Sequence, residues 1–436
     1  MKWGISILLE ASFYRKKGEF MTSRERVFAA LNHKPPDKVP VDLSGHRSSG
    51  IAGLTYHKLR KYLGLPSRPL RIYDMIQQLA VVDEDVLDLF GVDTIEMGRG
   101  FLKEDKDWKE WILPDGTPCF VPFYVNLEKR GEDWVLLSDE GRILGIQKKG
   151  CIYFEQTYFP LMERGIKGEN FSDLEDILSD TIWTGIAHPG AHLPLDQDGL
   201  AEMTNRAREL RSSTDRAILG LFGGNMFEIP QMLYRIDNYL LYIGLYPEDV
   251  LRLSEKLCEI HLRSLEKWIG AVGPYIDIVV FGDDLGSQQG PLISPDMYRR
   301  FYQPFHKKLW NRAHELADVK VMLHCCGGVR PLIPDLIEAG LDAINPVQIN
   351  AAGMETDGLK QQFGHHLSFW GGGCDTRDIL PGAKPEEVAA HVRMQVQILS
   401  QGGGFVFQQV HNILADVPPE NIVAMFGAVR GFASGE

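Results

Sequence analysis

The stretch DVKVMLHCCGG, residues 318–328, is an apolar run that stops at a histidine, two cysteines and two glycines. A short apolar run that ends at glycine predicts a buried strand. The sequence that follows, VRPLIPDLIEAG, has the apolar spacing of a helix. The stretch therefore predicts one strand–turn–helix unit, with reactive side chains at the carboxyl end of its strand.

The same unit recurs along the chain and decides the predicted fold. Two apolar runs that end in glycine lie near the N-terminus, and six more follow residue 200. The eight predicted strands are 38–45, 91–98, 216–224, 275–286, 318–328, 340–348, 366–375 and 403–412. Eight strands separated by helices predict an α/β fold of the (β/α)8 TIM barrel type, with catalytic groups on the loops after the strands. A doubly wound open sheet is the alternative, although no GxGxxG opens a helix after the first strand.

Two regions depart from this pattern. Between residues 107 and 160, β-branched and aromatic runs alternate with the turn sequences DG, RGED and DEGR, which predicts an inserted antiparallel β meander. Residues 1–20 are interpreted as a disordered or mis-called N-terminal extension, because Thr22 and Glu25 begin a helix of their own. Residues 21–436 are then a single barrel domain that includes the insertion.

Composition excludes several classes of protein. The formal net charge is −13 and no run of basic residues occurs, so a nucleic-acid partner is not expected. No stretch approaches the roughly 18 apolar residues of a membrane span. Six cysteines in 436 residues are too few for a disulfide scaffold. The sequence therefore predicts a cytoplasmic protein with reduced thiols.

The histidine and cysteines of residues 324–326 indicate a metal site. Side chains two residues apart share one face of a strand, so His324 and Cys326 can point together while Cys325 points away. Imidazole with thiolate suits zinc, which takes three protein ligands in catalytic sites. Cys374 and His411 follow later strands, and each could complete the site. The structural alternative is that the thiols are small buried hydrophobes and the histidines ordinary hydrogen-bonded residues.

Other polar side chains also follow predicted strands and should meet at the barrel mouth. One alternative is that the adjacent acids 283 and 284 merely cap a following helix and turn. The candidates are Asp42, His46, Arg47, Asn225, Glu228, Asp283, Asp284 and Gln289.

From about Thr22 to its end, the chain resembles the uroporphyrinogen decarboxylase superfamily, and within it the cobalamin-dependent methyltransferases. The resemblance implies a (β/α)8 barrel. The motifs that carry it are SRERVFAALNHKPPDKVPVD, DDLGSQQGPLISPDMYRRFYQPFHKKL, HCCGGVRPLIPDLIEAGLDAINPVQ, LKQQFGHHLSFWGGGCDTRDILPGAKPEEV and HNILADVPPENIVAM.

The motif residues distinguish the two chemistries of this superfamily. The decarboxylases have an Arg-Gln-Ala-Gly-Arg motif after the first strand, whereas this chain reads LSGHRSSG and keeps only Arg47. The methyltransferases bind zinc through His-x-Cys and a later cysteine. Residues 324–326 match the first part, and the position of the later cysteine falls on His411. The resemblance therefore favours His324, Cys326 and His411 as zinc ligands, with Cys374 lining the pocket and at most an exchangeable fourth.

The resemblance implies a zinc-dependent methyltransferase that moves a methyl group between a corrinoid protein and a small methyl donor or acceptor. That small molecule is a methoxylated compound, a methylamine, a thiol or tetrahydrofolate. No Asp-x-His-x-x-Gly corrinoid-anchoring motif occurs, so the corrinoid is expected on a separate protein. In this interpretation Asp283, Asp284 or Glu228 orients the substrate or handles a proton. The alternatives are cofactor-free decarboxylation of a tetrapyrrole or other small acid, and a non-catalytic corrinoid carrier.

Overall fold

Seven parallel strands form one sheet in the computed structural model, which describes residues 21–182 and 192–431. Each strand pairs with its predecessor in chain order, as expected for repeated strand–helix units. The predicted extension at residues 1–20 lies outside the described residues. The strands of this sheet are Thr94–Glu96, Ala217–Gly223, Ile278–Gly282, Lys320–His324, Ala343–Asn345, Ser368–Trp370 and Phe405–Val406.

The segment around Val41 joins the first and last strands of this sheet. Val41 forms a parallel bridge with Phe407. On its other side, the N–H of Asp93 donates to the carbonyl of Val41 at 2.7 Å. The sheet therefore closes on itself, and each of the eight predicted strand regions contributes to it. The prediction of a TIM barrel is confirmed.

Helices occupy the connections between the strands and bury one face each. The longest, Pro247–Val272, buries Val250, Leu253, Leu257 and residues at further helical spacings while its other face stays polar. No helix among the described residues is both long enough and apolar enough to cross a membrane. The described helices are Ser23–Leu31, Gly53–Tyr62, Glu84–Phe90, Leu174–Leu178, Gln197–Ser213, Glu228–Tyr234, Ile236–Leu245, Pro247–Val272, Pro295–Phe301, Gln303–Leu316, Ile333–Glu338, Thr356–Phe363, Ile379–Gly382, Pro385–Leu399 and Pro419–Arg430.

The first described helix, Ser23–Leu31, fills one end of the barrel. Thr22 caps it, and Glu25 completes a capping box, as the sequence predicts. Its apolar face packs against side chains that point into the barrel from six of the strands. These residues are Val27, Ala30 and Leu31 of the helix and Ala217, Leu219, Ile278, Val280, Met322, Ala343, Trp370 and Val406 of the strands.

The inserted region is antiparallel, as predicted, but it forms two sheets rather than one meander. A short hairpin, Ile72–Asp74 with Leu79–Ala80, lies between the first two predicted strands, where no strand is predicted. A second, Gly286–Ser287 with Gly290–Pro291, follows the strand Ile278–Gly282, so the predicted strand 275–286 is shorter than expected. The inserted strands are Trp108–Ile112 with Pro118–Pro122, and Asn126–Arg130, Asp133–Leu137, Ile143–Gln147 and Glu155–Gln156.

Candidate metal centre

Three side chains with metal-binding atoms meet at the carboxyl ends of the barrel strands. His324 ends the strand Lys320–His324, Cys326 follows it, and His411 follows the last strand. One possible ligand atom of each lies within 4.8 Å of the other two. Nε2 of His324 is 3.4 Å from Sγ of Cys326. The structure thus brings together the predicted His-x-Cys pair and one of the two predicted third ligands.

Cys325 and Cys374, the other two cysteines that the sequence analysis considered, lie outside the group of His324, Cys326 and His411. Cys325 is buried behind the strand, where its Sγ accepts a hydrogen bond from the N–H of Leu285 at 3.3 Å. Cys374 is fully buried, and its thiol faces the carbonyl of Asp375 at 3.7 Å. The expectation that Cys374 lines the pocket is therefore corrected. Backbone hydrogen bonds tie its segment to the last strand, because the carbonyl of Cys374 accepts from Val410 at 2.8 Å.

The donor set fits a soft divalent cation. Burial, followed by the neighbouring His324, lowers the pKa of His411 to about 4, so its imidazole is neutral at pH 7 and keeps a lone pair. Burial and the nearby Asp284 raise the pKa of the Cys326 thiol well above its ordinary value. A metal ion deprotonates a thiol that coordinates it. Two imidazoles and one thiolate are three ligands of the types that zinc prefers, with room for a fourth.

The group borders a cavity of about 520 Å³, within the range of small-molecule sites. His324 and His411 line it directly. Much of the remaining wall is apolar and aromatic. Phe222 is part of this wall, and its ring centroid lies 5.6 Å from that of Trp268 and 5.7 Å from that of Phe281. Other apolar lining residues include Met97, Phe101, Leu221, Ile229, Met232 and Val280.

Two of the three predicted catalytic acids, Glu228 and Asp284, line this cavity. Burial, then the charges of Asp284 and Asp283, raise the pKa of Glu228 well above its ordinary value. Nδ2 of Asn225 donates to the Glu228 carboxylate at 2.7 Å. Asp284 accepts a hydrogen bond from the N–H of Cys326 at 2.7 Å, and Oδ1 of Asp284 lies 3.8 Å from Nε2 of His324.

Asp283 has a structural position instead. It is fully buried, and the described lining of the cavity includes Asp284 without it. Its carboxylate accepts the N–H groups of Met226, Phe227 and Glu228 at 2.8–2.9 Å, at the start of the helix Glu228–Tyr234. Nε2 of His306 lies 2.8 Å from the same carboxylate. Asp283 therefore caps a helix, which corrects its assignment as a catalytic group.

Some of the predicted substrate-binding residues line the cavity, and others do not. His46, Arg47 and Asn225 line the cavity, whereas Asp42 and Gln289 are not among the described lining residues. Asp42 is fully buried and accepts from Thr94, Trp370 and Gly45 at 2.7–2.8 Å. Gln289 is exposed in the turn of a hairpin. The prediction that Asp42 and Gln289 bind the substrate is therefore corrected. Asp42 is a buried hydrogen-bond acceptor, and Gln289 is a surface residue.

Glu96 is a cavity residue that the sequence argument missed. It lines the cavity, is 3% exposed, and ends the strand Thr94–Glu96. Burial raises the pKa of Glu96 to about 7, against the opposing effects of Arg47 and Arg99. Nε of Arg47 lies 3.8 Å from the buried Asp74. The sequence does contain a feature that could have identified it, because Glu96 lies near the end of a predicted strand, as Asp283 and Asp284 do.

One family model and one solved structure agree with this architecture. The family model described as uroporphyrinogen decarboxylase (URO-D) matches residues 193–432. A methyltransferase from Methanosarcina mazei has a similar structure, with a TM-score of 0.56 and 16% sequence identity over 95% of this chain and 99% of that one. A GH10 endoxylanase from a sugarcane soil metagenome gives a TM-score of 0.32, 9% identity and coverages of 53% and 82%. The curated proteins yield no match.

Proposed function

Because the chain belongs to the uroporphyrinogen decarboxylase family, we propose that it is a zinc-dependent methyltransferase. In this proposal it moves a methyl group between a corrinoid carried by a separate protein and a small organic methyl donor or acceptor. The observation that carries the proposal is the group of His324, Cys326 and His411 at the wall of the cavity. A decarboxylase that works without a cofactor has no need of such a donor set.

Each component of the site has a part in this reaction. When bound, zinc would polarise the oxygen, nitrogen or sulfur atom of the small molecule that carries the methyl group. The corrinoid would be the partner that accepts or supplies this methyl group. Once the bond from a donor oxygen to its methyl breaks, the oxygen needs a proton. Glu228 is placed to hold that proton, because burial and nearby carboxylates raise its pKa. The apolar wall around Phe222 would exclude water while the methyl group moves.

The cavity favours an aromatic methyl ether among the small molecules considered. Methanethiol- or methylamine-sized molecules would leave most of about 520 Å³ unfilled. Tetrahydrofolate carries carboxylates, and Arg47 is the one lysine or arginine among the described lining residues. Aromatic rings pack well in edge-to-face contacts of the kind that Phe222 already makes with Phe281. We therefore propose a methoxylated aromatic compound as the methyl donor.

Decarboxylation of a tetrapyrrole is the second candidate, since the matching family model bears that name. The charges of the cavity argue against it. Arg47 is the one lysine or arginine among the described lining residues, so the lining offers little positive charge to the several carboxylates of a tetrapyrrole. His411, with its pKa lowered to about 4, is also a poor source of a proton at neutral pH.

Metal analysis and methyl transfer test the proposal together. Protein purified without added metal should contain about one zinc per chain, the stoichiometry of a three-ligand catalytic site. It should form methylcobalamin from cob(I)alamin and 2-methoxyphenol. The formation of methylcobalamin is followed by the change in visible absorption. Metal-free protein that releases CO2 from a porphyrinogen would overturn the proposal. Corrinoid binding without methyl exchange would point to a carrier and also overturn it.

A further inference from the structure

Two buried side-chain amides connect the proposed ligand His324 to the barrel interior. Asn345 ends the strand Ala343–Asn345, next to the strand of His324. Gln408 follows the last strand, and both amides are fully buried. Neither lines the cavity among the described residues. Their hydrogen bonds determine which nitrogen of His324 carries the proton.

The orientation of the Asn345 amide follows from a partner that can only accept. Nδ2 of Asn345 lies 2.9 Å from the backbone carbonyl of Trp370 and 2.8 Å from Oε1 of Gln408. The Gln408 amide is oriented by the same logic, because its Nε2 donates to the carbonyl of Ser48 at 2.9 Å. Both amide hydrogens of Asn345 are thus used, and its Oδ1 is left as an acceptor.

His324 supplies the donor for that acceptor. Its Nδ1 lies 2.9 Å from Oδ1 of Asn345, so Nδ1 carries the hydrogen and Nε2 carries the lone pair. Oγ of Ser48, 3.3 Å from Nε2, can donate its hydroxyl hydrogen to that lone pair. Nε2 is also the atom that lies 3.4 Å from Sγ of Cys326. The lone pair of His324 is therefore directed at the proposed metal.

The same amide network keeps His46 out of the site, although its ring lines the cavity. Nε2 of His46 lies 3.3 Å from Oε1 of Gln408, and its Nδ1 accepts the N–H of Ser48 at 3.3 Å. Both ring nitrogens are therefore used inside the protein. This separates two neighbouring histidines: one presents a lone pair to the centre, and the other does not.

We propose that Asn345, held by Gln408 and by the carbonyl of Trp370, is a positioning residue that selects the Nε2 tautomer of His324 for metal binding. Outer partners of ligating histidines commonly act in this way, and their loss lowers metal affinity by about 10- to 100-fold. The inference rests on the metal site of the proposed function. It adds two residues that act on the metal through His324 and touch no substrate.

The test compares two substitutions of Asn345 with a matched control. Asn345→Leu removes the oxygen that accepts from Nδ1–H of His324. Asn345→Asp keeps that oxygen but places its second carboxylate oxygen, in the position of Nδ2, against the Trp370 carbonyl. Both should lower the melting temperature. Asn421→Leu is the control, because Asn421 is also buried and donates to the carbonyls of Leu380 and Ala383 at 2.9 Å. It should lower stability without changing the site.

Two measurements are made on each protein. The first is the ring nitrogen NMR of ¹⁵N-histidine-labelled, metal-free protein at pH 8, where an ordinary imidazole is neutral. The His324 signal is assigned by its loss in His324→Gln. The second is the affinity for Zn²⁺, in competition with a chromogenic chelator.

The expected result separates positioning from stability. Wild type and Asn345→Asp should show a protonated Nδ1 and similar zinc affinity. Asn345→Leu should show mixed tautomers and lose about 10- to 100-fold in affinity. A wild-type spectrum with the proton on Nε2 overturns the proposal, even if Asn345→Leu does not fold. So does an affinity that falls equally in both Asn345 variants. Wild-type protein that binds no zinc would instead overturn the proposed function, while the spectrum still decides the tautomer.

Discussion

Adjacent cysteines 325 and 326 have different surroundings because successive side chains along a strand point to opposite faces. Sγ of Cys326 joins His324 and His411 beside the cavity. Cys325 packs into the core on the other face and contacts the backbone of Leu285. Two chemically identical thiols are thus separated by geometry alone, which a pair of matched variants can measure.

We expect His324→Ala and Cys326→Ser to lose zinc, each with a fall in affinity of more than about 100-fold, because a ligand counts for more than its outer partners. Cys325→Ser is the matched control and should keep the metal, as should Cys374→Ser. X-ray absorption of the zinc protein should show a single sulfur near 2.3 Å, roughly the zinc–thiolate distance. Two sulfurs bound to the zinc, or equal loss of metal in Cys326→Ser and Cys325→Ser, would contradict the ligand assignment.

Glu96 gives a prediction about pH and stability. Burial raises its pKa from an ordinary 4.5 to about 7 in the folded protein. Between these values the folded chain holds a proton that the unfolded chain has released. The bound proton therefore favours the folded state: the contribution of Glu96 to the free energy of unfolding is fully present below pH 4.5 and is lost as the pH rises through 7. Glu96→Gln, which stays neutral, should gain stability relative to wild type by up to about 3 kcal/mol between pH 4.5 and 8.

Urea unfolding of metal-free wild type and Glu96→Gln at the two pH values measures this difference. Glu110→Gln, at an exposed position on the strand Trp108–Ile112, is the control for exchanging a carboxyl for an amide. A constant stability difference between wild type and Glu96→Gln across the pH range would refute the argument.

The carboxyl end of the strand Ile278–Gly282 gives the two acids that follow it different roles. Asp283 points away from the cavity and caps the helix Glu228–Tyr234 of the preceding unit. Asp284, one residue on, accepts the N–H of Cys326 and lines the cavity. One acid thus joins two strand–helix units, and the other holds the loop that carries a proposed ligand.

A pair of isosteric substitutions should separate these roles. Asp283→Asn weakens a carboxylate that accepts three N–H groups, so the free energy of unfolding should fall by about 2–3 kcal/mol with zinc content unchanged. Asp284→Asn keeps an acceptor for Cys326 but loses its charge near the metal. Its zinc affinity should fall about tenfold with little change in stability. Denaturant titration and zinc competition measure both, and the reverse pattern would show that the two assignments are exchanged.

The sequence predicted the barrel well because buried parallel strands read as apolar runs that end in glycine. It predicted the meeting of His324 and Cys326 because strand alternation is a local rule. Cys374 was misplaced because the pairing of its segment with the last strand is a tertiary contact. Asn345 and Gln408 went unnoticed for the same reason: their importance comes from partners on other strands. The hairpin Ile72–Asp74 with Leu79–Ala80 is too short to leave a clear pattern.

The two ends of the barrel differ in the side chains that they carry. The mouth carries polar side chains and the cavity, whereas the helix Ser23–Leu31 closes the other end with Val27, Ala30 and Leu31. The same helix brings Arg26, whose guanidinium lies 2.5 Å from the buried Asp93. Asp93 in turn accepts the N–H of Val41 at 3.0 Å, at the point where the barrel closes.

Two truncations test whether this helix, and not the extension before it, is part of the barrel. A chain that begins at Met21 keeps the helix and its capping box, so its melting temperature should stay within about 2 °C of the full chain and its zinc affinity should be unchanged.

A chain that begins at Lys34 loses three buried apolar side chains, at about 1.5–3 kcal/mol for each large one. It also leaves Asp93 buried without its cation, which costs about 3–5 kcal/mol. Together these losses approach the whole stability of a typical protein, about 5–15 kcal/mol. We therefore expect calorimetry to show no cooperative transition for the Lys34 chain. A cooperative transition there, or a large fall in melting temperature for the Met21 chain, would mean that the barrel end is closed by other residues.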